Sequence, residues 1–133
     1  PLVIRGSDND PKAIENARWN IERAGLTKVV TLEVGELENA EPIADEAPGL
    51  LVTNPPFGER MGEGEEAIET YRLLGNVMRR RFLGWTGWVL AGSPMLGKQL
   101  GLKPKSKTII FNGPIECRLV EIPISAKKVE RDQ

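Results

Sequence analysis

"GLLVTNPPFGER", Gly49 to Arg60, sets two prolines and an aromatic ring directly behind an apolar run. Gly49 to Thr53 has the length and β-branched content of a buried strand, and proline, which lacks an N–H and fixes φ, stops it abruptly. The stretch therefore predicts a rigid loop held at the end of a strand. What that loop serves depends on the fold around it.

Upstream, "LVIRGSD" (Leu2 to Asp8) reads as a strand and "DPKAIENARWNIERAGL" (Asp10 to Leu26) as a helix. Asp10 is the expected N-cap and Pro11 the first helical residue. Ile14, Ala17, Ile21 and Ala24 recur at helical spacing before Gly25 ends the run. "VVTLEV" (Val29 to Val34) is a second strand, and an acidic loop with Pro42 and Pro48 leads back to the opening stretch. Downstream, "EEAIETYRLLGNVMRRRF" (Glu65 to Phe82) predicts an amphipathic helix with Ile68, Tyr71, Leu74 and Met78 on its buried stripe. "TGWVLAG" (Thr86 to Gly92) is a strand, and a short helical turn is expected over 94–100. "KTIIFNGPIECRLVEIPI" (Lys107 to Ile124) closes as two strands around Asn112-Gly113, a strong hairpin signal. The order predicts an α/β domain over 1–124 with a mostly parallel sheet and an antiparallel C-terminal hairpin, followed by a polar tail, 125–133.

The 133 residues, 40% hydrophobic and 28% charged, suit one globular domain. No membrane-length apolar run or signal-peptide pattern is visible, so the expected location is cytoplasmic. One cysteine, Cys117, and no histidine exclude disulfide frameworks, Cys/His zinc sites and imidazole bases, so no metal site is expected. Cys117 reads as a packed strand residue, and Trp19, Trp85 and Trp88 as core or helix–sheet packing. The net charge of −1 hides an asymmetry: residues 1–66 hold 6 Lys/Arg against 14 Asp/Glu, and residues 67–133 hold 12 against 5. A basic half can meet a polyanion, or the halves can simply attract each other.

In a parallel α/β sheet, ligands collect at the carboxyl ends of the strands. Three such ends stand out: Asp8-Asn9-Asp10, Glu36, and Asn54-Pro55-Pro56-Phe57. A carboxylate ending a strand before a helix suits the two hydroxyls of a nucleoside ribose, which Asp8 fits, although "SDNDP" also reads as a plain helix cap. The Asn-Pro-Pro loop is more specific. An exocyclic amino group is a poor nucleophile because its lone pair is delocalised. If the Asn54 side-chain oxygen and the Pro55 carbonyl accept its two hydrogens, the nitrogen turns out of conjugation toward an electrophile. Phe57 can stack on a flipped base, and no histidine is required. For RNA phosphates the candidates are Arg60, just after the loop, Arg79, Arg80 and Arg81 at a helix end, and Lys103, Lys105 and Lys107, which alternate and should share one face.

These features resemble the class I S-adenosylmethionine-dependent methyltransferases that modify amino groups, in which [N/D/S]-P-P-[Y/F/W] follows the fourth strand of a Rossmann-like sheet. More narrowly, "GSDNDPKAIENARWNIERAGL", "LVTNPPFGER" and "FNGPIECRLVEIPI" look like the catalytic domain of THUMP-containing 23S ribosomal RNA guanine-N2 methyltransferases, the RlmL type. The resemblance implies S-adenosylmethionine as cofactor, with Asp8 on its ribose and Asn9, Glu36 and Asn54 completing the contacts. Glu36 stands where that family often has Asp. Asn54, Pro55, Pro56 and Phe57 would be catalytic, and 23S ribosomal RNA the partner. Adenine-N6 or glutamine-amide methylation uses the same loop, and a non-catalytic, nucleic-acid-binding α/β domain is the rival reading.

The family's first strand, its glycine-rich loop and its THUMP region have no counterpart in this sequence. The expectation is a fragment of a longer enzyme, inactive alone. The strands flanking the missing one would then pair directly or take another chain, including a second copy, between them.

Overall fold

A computed structural model of the chain describes residues 2–44, 46–56 and 63–126. They form two compact units, residues 1–44 and 45–133.

The first unit is a βαβ element: β1 (Ile4–Asp8), α1 (Pro11–Arg23) and β2 (Val30–Val34), followed by the short 3₁₀ turn Leu37–Asn39. β1 and β2 pair in parallel, Ile4 with Val30 through Asp8 with Val34. α1 starts as the sequence dictates, with the Asp10 carboxylate accepting from the Lys12 N–H at 3.0 Å and proline in the first turn. Such a cap is worth about 1 kcal/mol. Gly25, at φ 72°, lets the chain leave the helix. Ile14 is buried and Ala17 and Ile21 half-buried, but Ala24 is exposed as the C-cap residue. Trp19, expected to pack, is instead 61% exposed because it lies off the stripe that faces the strands.

The second unit contains β3 (Leu50–Thr53), α2 (Glu63–Arg81), β4 (Thr86–Ala91), α3 (Pro94–Lys98), β5 (Ser106–Asn112) and β6 (Ile115–Pro123). Its sheet runs β3-β4-β6-β5, parallel between β3 and β4 and antiparallel across β4, β6 and β5. The hairpin forms as expected, closing at the Asn112–Ile115 pair with Gly113 at φ 62°. β6, not β5, is the strand that joins it to the rest.

Directly paired residues share a face of the sheet. On one face Val89, Ala91, Val120 and Ile122 are buried. A Cβ added at Gly87 on this face would meet the Met78 methyl, which places α2 here, and one added at Gly97 would meet Ala91, which places α3 here. The predicted α2 stripe holds: Tyr71, Leu74 and Met78 are buried and Ile68 half-buried. Each such buried side chain contributes roughly 1.5–3 kcal/mol. On the opposite face Trp88, Leu90 and Leu119 are only half-buried. β3, expected to be buried, carries Leu50 and Val52 on that face at 64% and 70% exposure, because α2 and α3 of its own unit lie on the other face. Within the first unit β1 pairs with β2, and within the second β3 pairs with β4.

Cys117 is fully buried, as its strand position predicts, and Trp85 packs edge-on against Phe82 at 5.5 Å. Among the described residues no helix is long and apolar enough to cross a membrane.

The chain's one tyrosine makes a pH prediction. Burial raises the Tyr71 phenol above 10.0; a hydrogen bond from the Gly92 N–H partly offsets this, and Cys117 adds to the rise. The unfolded phenol ionises near its ordinary value, while the folded one keeps its proton to higher pH. Stability is therefore intact below about pH 10 and falls as pH rises further. Urea unfolding from neutral to strongly alkaline pH should show this decline. Tyr71→Phe should flatten it at a cost of about 1 kcal/mol near neutrality.

Candidate functional site

The carboxyl ends of β1 and β2 lie side by side, because the Gly35 N–H donates to the Asp8 carbonyl at 3.0 Å just past the last strand pair. That ladder brings Asp8, Asn9 and Glu36 together. Asp8 Oδ1 accepts from the Asp10 N–H at 2.9 Å, which fixes the carboxylate, while its second oxygen has no partner among the described residues. Asn9 Nδ2 donates to Glu36 Oε2 at 3.4 Å. Glu36 is the N-cap residue of the 3₁₀ turn but makes no side-chain cap bond, so its carboxylate faces Asn9 instead. All three side chains are exposed. Asp10, not Asp8, caps the helix, so the Asp8 carboxylate holds the turn before the cap through one oxygen only.

In the second unit, Asn54, Pro55 and Pro56 follow the last residue of β3, Thr53, which pairs with Val89. Pro55 is buried and anchors the turn, while Asn54 and Pro56 are exposed. The Asn54 amide has no partner among the described residues, so its oxygen is available to accept a hydrogen bond. Phe57 and Arg60 lie outside the described residues.

The basic candidates separate by environment. Arg79 donates to the carbonyls of Leu100 at 2.9 Å and Gly101 at 3.2 Å and to the Asn76 side chain, so it ties α2 to the segment after α3. Arg80 and Arg81 are exposed at the end of α2. Lys103, Lys105 and Lys107 do not share one face. Lys105 turns to Glu121, with Nζ 4.0 Å from Oε2, whereas Lys103 and Lys107 line a cavity. Lys98 and Arg118 line the same cavity and were missed in the sequence, where nothing local places them beside those lysines. Among the described residues no group of three or more His, Cys, Asp or Glu could hold a metal ion.

Residues 1–121 match the family model described as UPF0020, the RMKL-like methyltransferase domain. The ribosomal RNA large subunit methyltransferase K/L of Allochromatium vinosum is 41% identical over 124 residues, 93% of this chain and 17% of that protein. The protein of the same name from Ectopseudomonas mendocina is 40% identical over 129 residues, 96% of the chain and 18% of the relative. The chain thus spans under a fifth of the length of these relatives. Among solved structures, a possible methylase from Clostridium difficile 630 superposes with a TM-score of 0.83 at 26% identity, over 92% of this chain and 32% of that one. SMU.472, a structure solved in complex with SAH, superposes with a TM-score of 0.81 at 26% identity, over 96% and 32%. The fold is that of the class I methyltransferases, with a Rossmann-like α/β arrangement.

Proposed function

Because the chain belongs to the family of RMKL-like methyltransferase domains, we propose that, within a polypeptide as long as its curated relatives, it carries S-adenosylmethionine-dependent methyl transfer to an exocyclic amino group. The proposed target is guanine N2 of 23S ribosomal RNA. The observation that carries this reading is Asn54: an exposed amide without a protein partner, set on a buried proline at the carboxyl end of a parallel strand.

The residues fit the cofactor chemically. Asp8 offers a fixed carboxylate with one oxygen open to the ribose hydroxyls, and the adjacent Asn9 and Glu36 offer a donor and acceptors for an adenine edge. The cofactor supplies a methyl group activated on a sulfonium centre. Asn54 Oδ1 accepts one hydrogen of the target amino group and the Pro55 carbonyl the other, which holds the nitrogen's lone pair out of the ring's conjugation. Pro55 and Pro56 keep both acceptors in place without reorganisation, since their φ angles are fixed. Positioning and polar acceptors would carry the catalysis, and the proton shed by the methylated nitrogen would pass to water.

The test is to supply the full-length protein with S-adenosylmethionine labelled in its methyl group and unmodified 23S ribosomal RNA, then digest the RNA to nucleosides. Label in N2-methylguanosine is expected. Label in N6-methyladenosine would move the target to adenine, and no labelled nucleoside would overturn the reading.

A further inference from the structure

The second unit holds a cavity of about 280 Å³ between α3, the loop after it and the β5–β6 hairpin. This is close to the lower end of small-ligand clefts, roughly 300 Å³, and suits one compact group. Its wall is apolar, including Ala91, Leu102 and Val120, and its rim is cationic: Lys98, Lys103, Lys107 and Arg118. Among the described residues no carboxylate lines it.

The register explains the convergence. Arg118 pairs with Ala91 on one side and Ile109 on the other, and Val120 pairs with Lys107, so Arg118 and Lys107 rise from the helix-covered face. Lys98 ends α3, and Lys103 follows in the loop. Lys98, Lys103 and Lys107 are exposed and have no ion-pair partner among the described residues. Lys105, between two of them, pairs with Glu121, and Arg118 with Glu116 at 3.1 Å. Beyond Lys107, the same face of β5 continues through Ile109 and Phe111, 55% and 63% exposed.

Three uncompensated ammonium groups around an apolar floor favour a ligand that is anionic at one end and flat and apolar at the other. A nucleotide has that form, and an exposed aromatic ring beside it is a stacking platform for the next base. We propose that this cavity receives one nucleotide of the RNA substrate away from the methylated one, with Lys98, Lys103 and Lys107 around its phosphate and the apolar wall against its base. The inference rests on the RNA methyltransferase reading above. The geometry is compatible with a single bound strand. Asn54 follows β3 on one side of β4, and Arg118 lies on the other side at the same end of β4. Two strand spacings, about 10 Å, separate them.

The experiment compares the full-length protein with its Lys98→Ala/Lys103→Ala/Lys107→Ala variant, measuring RNA dissociation constants across a salt series, steady-state kinetics and calorimetric S-adenosylmethionine affinity. The expected result is RNA binding weakened about tenfold or more, with the slope of log affinity against log salt reduced by roughly 1. KM for RNA should rise, while kcat and cofactor affinity stay within about twofold. Lys105→Ala should leave the salt slope as it was. An unchanged slope in the triple variant would overturn the cavity assignment, as would an equal loss in Lys105→Ala, which would indicate a diffuse basic face. The binding arm reads the cavity whether or not methyl transfer occurs, so failure of the labelling experiment is separable from failure here.

Discussion

Asn54→Ala is expected to lower methyl transfer by the full-length protein about 10²- to 10³-fold, the scale on which one preorganised polar contact to the reacting group acts. The loss should fall on kcat rather than on RNA affinity, because in the proposed role the acceptor would act on the nitrogen's electrons and contribute little to holding the strand. Asn54→Asp keeps an acceptor oxygen at the same place and should lose less. Since Asn54 is exposed and its amide bonds to no described residue, neither change should shift stability by more than about 0.5 kcal/mol. Single-turnover rates, read beside thermal melting, check both halves of this expectation. An Asn54→Ala enzyme with full activity would return the chain to the class of non-catalytic binding domains.

Gly75→Ala should damage the second unit severely even though alanine is the better helix former. A Cβ at position 75 would stand 1.9 Å from the Leu100 carbonyl oxygen and 2.7 Å from its carbon. Those are backbone atoms and cannot swing aside. α2 approaches the segment after α3 this closely only because Gly75 has no side chain, and the same approach lets Arg79 reach the carbonyls of Leu100 and Gly101. The gain of about 1 kcal/mol in helix propensity is outweighed by overpacking of roughly 3 kcal/mol and the loss of these bonds. A fall in melting temperature of about 10 °C or more is expected. Gly87→Ala is the contrast. Its added carbon would sit 2.9 Å from the Met78 methyl, the far end of a flexible side chain, and should cost about 1 kcal/mol. Equal melting temperatures for the two variants would show that α2 can move away from Leu100.

The features legible in the sequence are those governed by neighbours along the chain. The Asp10 cap with Pro11, the α2 stripe and the C-terminal hairpin depend on a few adjacent residues, and the structure has each of them, with the hairpin's two turn residues at Gly113-Pro114, one position beyond the predicted Asn112-Gly113. The clustering of Asp8, Asn9 and Glu36 was legible at one remove, because a βαβ unit places consecutive strand ends together. What escaped depends on distant partners. Burial of "GLLVT" requires cover on both faces, and hydrophobicity alone does not say whether cover is present. Lys103, Lys105 and Lys107 alternate in sequence, but Lys103 and Lys105 precede β5, so strand alternation does not govern them. Arg118 joins the cavity only because β6 lies between β4 and β5, an order that no local pattern encodes.

That same strand order constrains how the second unit is made. β5 precedes β6 in synthesis, yet among the described residues it pairs with β6 alone, and β6 links it to β4. Strands therefore cannot be added in the order they leave the ribosome. β5 must wait as an unattached apolar ribbon, Ile109, Ile110 and Phe111 among its residues, until residues up to Pro123 have emerged and the hairpin docks as one piece. The interval before docking is when the nascent chain is most exposed to aggregation. A translational pause that leaves β5 outside the exit tunnel with β6 still inside it should lengthen the interval, and a pause after both strands have emerged should not.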